Sequence, residues 1–421
     1  MNTVKIYPLN QLSGKQFQRC KVAQMEAAKV WNVCMATHKA ARLTHAKWPG
    51  RDELQKATKG RQFALHSQSV QMVAGTFLAN IKTTQELRQT HPHMQMKYPW
   101  RTKRFYPVKW PAQAVSREHG RVVLPMGKDR PSLVLSIQLP ENSGACSLVW
   151  NNGFELHVCV EIPQAEEAPG TVQATVDLGE IHLAAVTTNT GKALIVTGRG
   201  IRSLKHQRSK QLGKIAKKQS RCQKYSRRWK KLQYAKNKQC RRTERRIRNM
   251  RHQATRKVID FCVEQEVATL FIGNPHGVRN KNNGRHHNQR MALWEYGKDI
   301  DYLTHKSKAA HIMSFIGSER GTSSRCPACG HRHKPKGRNW VCRQCQFSGH
   351  RDLVGSVNMH SLAYASQVMF PRSFTYLRPP GLSRLSSSRA DTPQSCLSKD
   401  PAQPRTSGTV SSETGQTGDV A

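Results

Sequence analysis

Between residues 13 and 44 apolar side chains recur at helical spacing (Phe17, Val22, Met25, Ala28, Val30, Trp31, Cys34), which predicts a long amphipathic helix. A second run of the same period, 65–87, carries Leu65, Val70, Val73, Phe77, Leu78 and Ile81. The Trp48-Pro49-Gly50 break parts the two, so residues 13–93 read as a small helical domain. From 94 to 163 the pattern changes to short β-rich runs at 121–124, 133–138, 147–149 and 155–162, separated by Gly, Pro and Asn. Asn151-Asn152-Gly153 between two of them signals a hairpin. A small barrel or twisted sheet is expected there, joined by a first strand within residues 1–12, with 164–170 as a linker.

The remaining pattern is that of an α/β unit. An apolar strand at 171–178 contains Asp177-Leu178-Gly179 near its end, and strands at 182–188 and 192–197 follow. A basic insertion over 201–258 has sparse apolar residues at roughly helical spacing, which suggests two long helices. Further on come a buried strand at 267–272, a helix at 288–303, a strand at 311–316 and a last helix near 353–366. The α/β unit is expected to span 171–320 and to resume at 350–369 after an insertion at 321–349. Beyond 370 the chain is rich in Ser, Pro, Arg and Thr, and 370–421 is expected to be a disordered tail.

Charge narrows the function classes. The 421 residues hold 69 Lys and Arg against 26 Asp and Glu, a formal net charge of +43. Residues 201–257 alone contain 23 Lys or Arg and one acid, Glu244, so the stretch lacks the i,i+4 ion pairs that would stabilise it by itself. A polyanion supplies the missing countercharge, and nucleic acid is the commonest one. No apolar run approaches the roughly 20 residues that span a bilayer, and residues 1–9 show no signal-peptide pattern. Eight of the twelve cysteines are scattered singly, which fits a reducing compartment, and a cytoplasmic location is expected.

The other four form two knuckles, Cys326-Pro-Ala-Cys329 and Cys342-Arg-Gln-Cys345. Each turns two thiolates towards one point, and together they make the closed four-thiolate shell of a structural Zn2+ ribbon. His331 and His333 are possible substitutes, with solvent or phosphate contact the plainer expectation. Acids are the second candidate chemistry. An RNase H-type nuclease gathers carboxylates at one edge of a sheet to hold two divalent metals. Asp177 at the end of its strand and Asp352 at the start of the last helix are placed for that role; a turn Asp and an N-cap Asp are their plain alternatives.

Asp177-Leu-Gly, the paired knuckles and Arg351-Asp352-x-x-Gly-Ser-x-Asn358-Met resemble TnpB, the OrfB-type protein of bacterial insertion sequences, related to the compact type V CRISPR effectors. The resemblance is ordered over roughly 170–366 and looser before it, where the strand, helical and β-rich segments match that family's wedge and recognition domains. It implies a RuvC-like domain with an embedded zinc ribbon. It also implies a guide RNA, recognition of a short flanking motif, and Mg2+-dependent cleavage of guide-matched double-stranded DNA by a monomer or dimer.

One departure matters. The family usually ends the strand equivalent to 267–272 with a catalytic Glu, and here the residues are Gly273-Asn274. In one reading Glu319, past the end of the neighbouring strand and just before Thr322-Ser323, takes over that role beside Asp177 and Asp352. In the other, Glu319 is a surface acid and the protein is a nuclease-dead, RNA-guided DNA-binding repressor. Glu180, Glu295, Asp299 and Asp301 are weaker substitutes, because none ends a strand at that edge. A directly acting DNA-strand transferase is a third class, without a supporting Tyr and His motif. For nucleic-acid contacts the candidates are Arg101, Lys103 and Arg104 in the β-rich region, and Arg279, Arg285 and Arg290 in a Gly- and Asn-rich loop. Trp229, with Tyr225 and Tyr234, either stacks on unpaired bases or forms the seam between the basic helices, and the seam is the first expectation.

Overall fold

The structure is a computed structural model. It describes residues 1–379 except 61, 128, 279–281 and 334–336, and the backbone of 394–395. The N-terminal half is built on helix Gly14–Leu43. Its start is fixed by a capping box, in which Ser13 Oγ accepts from the Gln16 N–H at 3.2 Å and Gln16 Oε1 accepts from the Ser13 N–H at 3.0 Å. Helix Ser67–Thr90 packs against it through Trp31 and Phe77, whose rings meet edge to face at 5.0 Å. A short helix, Arg51–Ala57, follows directly on the Trp48-Pro49-Gly50 break.

Among the described residues the β-rich region is not one closed barrel. It forms a four-stranded antiparallel sheet, in which Asn2–Pro8 pairs with Phe154–Glu161 as the expected first strand, and a separate three-stranded meander over 116–135. Strands of only three or four residues in the meander are too short to bridge both rims of a barrel.

The second half is one mixed sheet with helices. Its strands are β1 (Val172–Leu178), β2 (His182–Thr188), β3 (Ala193–Thr197), β4 (Val267–Asn274), β5 (Met313–Ser318) and β6 (Ser373–Leu377). The order is β5-β4-β1-β2-β3-β6, with Gln394–Ser395 on the outer side of β6. β1, β2 and β3 run antiparallel in sequence, β4 lies parallel to β1, and β5 lies parallel to β4. Helices α1 (Arg199–Gln219), α2 (Arg227–Glu264), α3 (Arg285–Leu293), α4 (Tyr296–Ala309) and α5 (Arg351–Tyr364) complete it.

Three expectations change here. The single helix expected over 288–303 is two, parted at Trp294-Glu295, because buried Trp294 turns the chain there with an extended backbone. The tail does not begin at 370: β6 pairs in parallel with β3 and buries Phe374, so the sheet holds the chain to Leu377, and residues 380–393 and 396–421 lie outside the described part. The aromatic seam between the basic helices is not formed by Tyr225 and Tyr234, which are 63% and 67% exposed. The fully buried positions of α2 begin at Thr243 and recur at Ile247, Met250, Ala254 and Val258, so only its C-terminal half packs on the sheet. Its N-terminal half and most of α1 form a solvated basic pair.

The two halves are joined by charge. Glu155, on the last strand of the first sheet, is fully buried, and Arg245 and Arg248 of α2 reach its Oε1 at 3.3 and 3.4 Å. Burial alone would raise its pKa, but His157, Arg248 and Arg245 hold it below the ordinary value. Glu155→Ala leaves two guanidiniums without this partner and is expected to lower stability by about 2 kcal/mol. Urea denaturation followed by circular dichroism measures the loss.

Candidate active site

The parallel ladders set one edge of the sheet. Val176 of β1 lies opposite Ile272 of β4, and Gly273 of β4 lies opposite Gly317 of β5. Asp177, Gly273 and Gly317 therefore sit near the same level, and Glu319 follows directly on the end of β5. A side chain at Gly273 would meet Glu319 Oε2 at 2.8 Å, Met359 Sδ at 2.8 Å and the Val176 carbonyl at 3.1 Å. The Glu319 carboxylate thus stands where a side chain at 273 would project. Its Oε2 is shielded from solvent and has no hydrogen-bond partner.

Asp352 comes from the first turn of α5, and the motif around it explains how that helix is fixed. At Gly355 a Cβ would come within 2.5 Å of Asp177 Oδ2, so glycine lets the carboxylate approach the helix. Ser356 Oγ donates to the Thr175 carbonyl at 3.0 Å, and Thr175 Oγ1 donates to the Ser356 carbonyl at 2.7 Å. Asn358 Nδ2 donates at 2.7 Å to the carbonyls of Thr322 and Arg325, which pins the segment entering the ribbon.

Electrostatics ties the three acids together. Burial, followed by the charges of Glu319 and Asp352, pushes Asp177 well above the carboxylate range. Burial and then Asp352 raise Glu319 to about 7. Asp352 goes the other way: burial opposes its charge, but a hydrogen bond to His182 and the nearby Arg338 hold it below its usual value. His182 Nδ1 lies 2.6 Å from Asp352 Oδ2, and Arg338 Nη1 donates to both Asp352 oxygens at 2.8 and 2.9 Å. Ligand atoms of His182, His350 and Asp352 lie within 4.8 Å of one another, and Asp177 and Glu319 stand outside that tight group. Buried, unpartnered carboxylate oxygen and mutual repulsion among the acids are what a divalent cation relieves, so the donor chemistry fits a divalent metal.

The four cysteines converge as well. Cys326 and Cys345 sulfurs are 3.7 Å apart and those of Cys329 and Cys342 are 3.5 Å apart. A tetrahedron with Zn–S of about 2.3 Å has edges of about 3.8 Å, so the shell suits zinc. Trp340, fully buried, packs beneath the site and donates from Nε1 to the Ser323 carbonyl at 3.1 Å. His333 leans tilted against Trp340 with centroids 4.5 Å apart, outside the sulfur shell.

Other acids are committed elsewhere. Glu180 pairs with Arg202 and Arg290, Glu295 with Lys205 and Lys298, and buried Asp299 with Arg251 at 2.8 Å. Asp301 is exposed. Of the cations chosen from sequence, Arg101, Arg104 and Arg285 are exposed and Lys103 lies over the Trp31 ring. Arg290 is tied to Glu180, Trp229 is half-buried against Tyr225, and Arg279 lies outside the described residues. His182, Arg338 and Tyr296 were not singled out from the sequence, since no local spacing marks them. Tyr296 sits close enough to the acids that, after burial, Glu319, Glu180 and Asp177 all push its phenol upward.

Comparison with known sequences and structures adds the family context. Residues 157–279 match the family OrfB_IS605, described as probable transposase, and residues 296–359 match a Cas12f1-like TNB domain. No curated protein sequence matches. A cryo-EM structure of a Cas12f1-sgRNA-target DNA complex contains a similar chain: 12% identity, TM-score 0.56, 82% of this chain and 83% of that chain covered. The mini-RNA-guided endonuclease CRISPR-Cas_phi3 aligns over 88% of this chain and 94% of its own, at 10% identity and a TM-score of 0.46. The first of these shows a shared mixed α/β fold. Among the described residues no helix is long and apolar enough to cross a membrane.

Two outcomes are expected. Native mass spectrometry finds one zinc per chain, which Cys342→Ser removes. The folded pKa of Glu319, about 7, exceeds its ordinary 4.5. The folded state therefore binds the extra proton between those values, and the Glu319 contribution to stability falls as pH rises through that window. Thermal melts are expected to show that Mg2+ raises Tm more at about pH 8 than at about pH 5.5, and that Glu319→Gln removes most of this difference.

Proposed function

Starting from a chain that carries a TnpB-type OrfB_IS605 segment and a Cas12f1-like TNB domain, we propose that it is an RNA-guided DNA endonuclease with an RNase H-like, RuvC-type centre whose second acid has moved from position 273 to Glu319. The observation that carries this reading is the exchange of space at Gly273, where the unpartnered Glu319 carboxylate lies in the volume a side chain on β4 would need. Asp177, Glu319 and Asp352 would hold two Mg2+ ions, which supply water activation and leaving-oxygen stabilisation in phosphodiester hydrolysis. His182 orients Asp352 through its 2.6 Å contact. Arg338, just ahead of the ribbon strand Asn339–Val341, reaches Asp352 from the four-cysteine ribbon.

The partners are a guide RNA and target double-stranded DNA. Supporting this are the net charge of +43, the basic pair formed by α1 and the first half of α2, and the sgRNA and target DNA held by the Cas12f1 of similar fold. Placement of the chain as 13–93 recognition, 94–163 wedge and 171–377 RuvC-like with the ribbon at 321–349 belongs to the same proposal.

A second reading, a nuclease-dead guided repressor, draws on one feature: Arg338 sits on both oxygens of Asp352, where a cation from the chain itself satisfies the acid. Copurification with RNA, then incubation with guide-matched plasmid and Mg2+ across flank libraries, separates the two. Cutting is expected, with Glu319→Gln and Asp177→Asn each slowing it roughly a thousand-fold while target binding persists. Binding without cutting in every flank context selects the repressor, and cutting unaffected by Glu319→Gln removes Glu319 from the centre.

A further inference from the structure

The turn after Asp177 also walls a cavity that the carboxylate centre and the zinc ribbon do not use. Glu180 and Ile181 of the turn, one face of α1 and one face of α3 enclose about 620 Å3. On α1 the lining positions Arg199, Arg202 and His206 are spaced i, i+3, i+7, and on α3 His286, Arg290 and Leu293 repeat nearly the same spacing. Each helix therefore turns a single face inward.

The lining has two chemical parts. Glu180 is the one acid, and it holds Arg202 and Arg290 by their Nε atoms at 3.1 and 3.4 Å. Two guanidiniums share one carboxylate, and Arg199 adds a third positive charge, so the wall remains cationic. Lys205 is spent within the protein, on Glu295 at 2.9 Å and the Leu293 carbonyl. Ile181, Leu293 and the buried Trp294 supply an apolar floor. Anchored cations beside an apolar wall fit a phosphate joined to a flat base.

Its position selects the strand. β1 ends at Leu178 and β3 ends at Thr197, at the same edge as the carboxylates, and the Gly198 N–H donates to the Ile181 carbonyl at 2.8 Å, closing α1 onto the turn. Tyr296, two residues beyond Trp294, feels the charges of Glu180, Asp177 and Glu319 together, so the cavity and the acids are neighbours.

We propose that this cavity seats one unpaired nucleotide of the DNA strand that lies across Asp177, Glu319 and Asp352, its phosphate on Arg199, Arg202 and Arg290 and its base against Ile181 and Leu293. The identity of that strand rests on the nuclease reading; the affinity for unpaired DNA does not, and it can be measured without cutting.

The test uses the full chain with its copurified RNA, in Ca2+ instead of Mg2+, and fluorescence anisotropy with a labelled single-stranded DNA of about a dozen nucleotides. Ser203 is exposed on the cavity face of α1. Ser203→Glu is expected to weaken single-stranded DNA binding about tenfold, Ser203→Gln to leave it unchanged, and binding of guide-matched duplex to change less than twofold. Unaltered single-strand affinity in Ser203→Glu, or loss of copurified RNA instead, overturns the proposal. Failure of the wild-type chain to cut in Mg2+ sinks the nuclease reading and leaves the anisotropy result to decide this one.

Discussion

Three carboxylates at one end of one sheet repel each other, and the surrounding structure is organised around holding them there. Asp177 is fixed by the central strand β1, which is paired on both sides. Asp352 is fixed by α5, whose Ser356 and Asn358 bond to β1 and to the ribbon entry. Glu319 is fixed by the parallel pairing of β5 with β4. None of these restraints relieves the repulsion, and burial first, then that repulsion, drives Asp177 and Glu319 towards the protonated state while Asp352 keeps its charge through His182 and Arg338. A divalent cation would remove the conflict that the fold creates.

Positive charge is distributed by a related logic. Buried and half-buried cations have specific partners: Arg251 with Asp299, Lys205 with Glu295, and Arg245 and Arg248 on Glu155. These pairs bind the helices to one another and one half of the chain to the other. The solvated part of the α1–α2 pair has almost no acids, so its charge is available to an external polyanion. Packed and solvated cations are therefore separated along the same helix, at about Thr243 of α2.

Local periodicity made most elements legible. Helix Gly14–Leu43 and the strands β1 and β2 follow directly from spacing, because each is decided by neighbours three, four or two positions away. Misreadings fell where tertiary contact overrides pattern. Trp294 interrupts a helical period because the core buries it, and β6 forms from a Ser- and Arg-rich stretch because β3 offers an open edge. Tyr225 and Tyr234 have the spacing of a seam but lie where no second surface covers them.

By itself the sequence determined the four-cysteine cluster, the placement of Asp177 and Asp352 at element ends, and the excess of positive charge, all of which depend on residue identity and short-range spacing. Only the tertiary structure decided that Glu319 lies in the space left by Gly273, and that His182 and Arg338 engage Asp352. The reason is physical. The vacancy at 273 and the carboxylate at 319 belong to strands separated by two helices, and their relation exists only once parallel pairing sets both strand ends at one level.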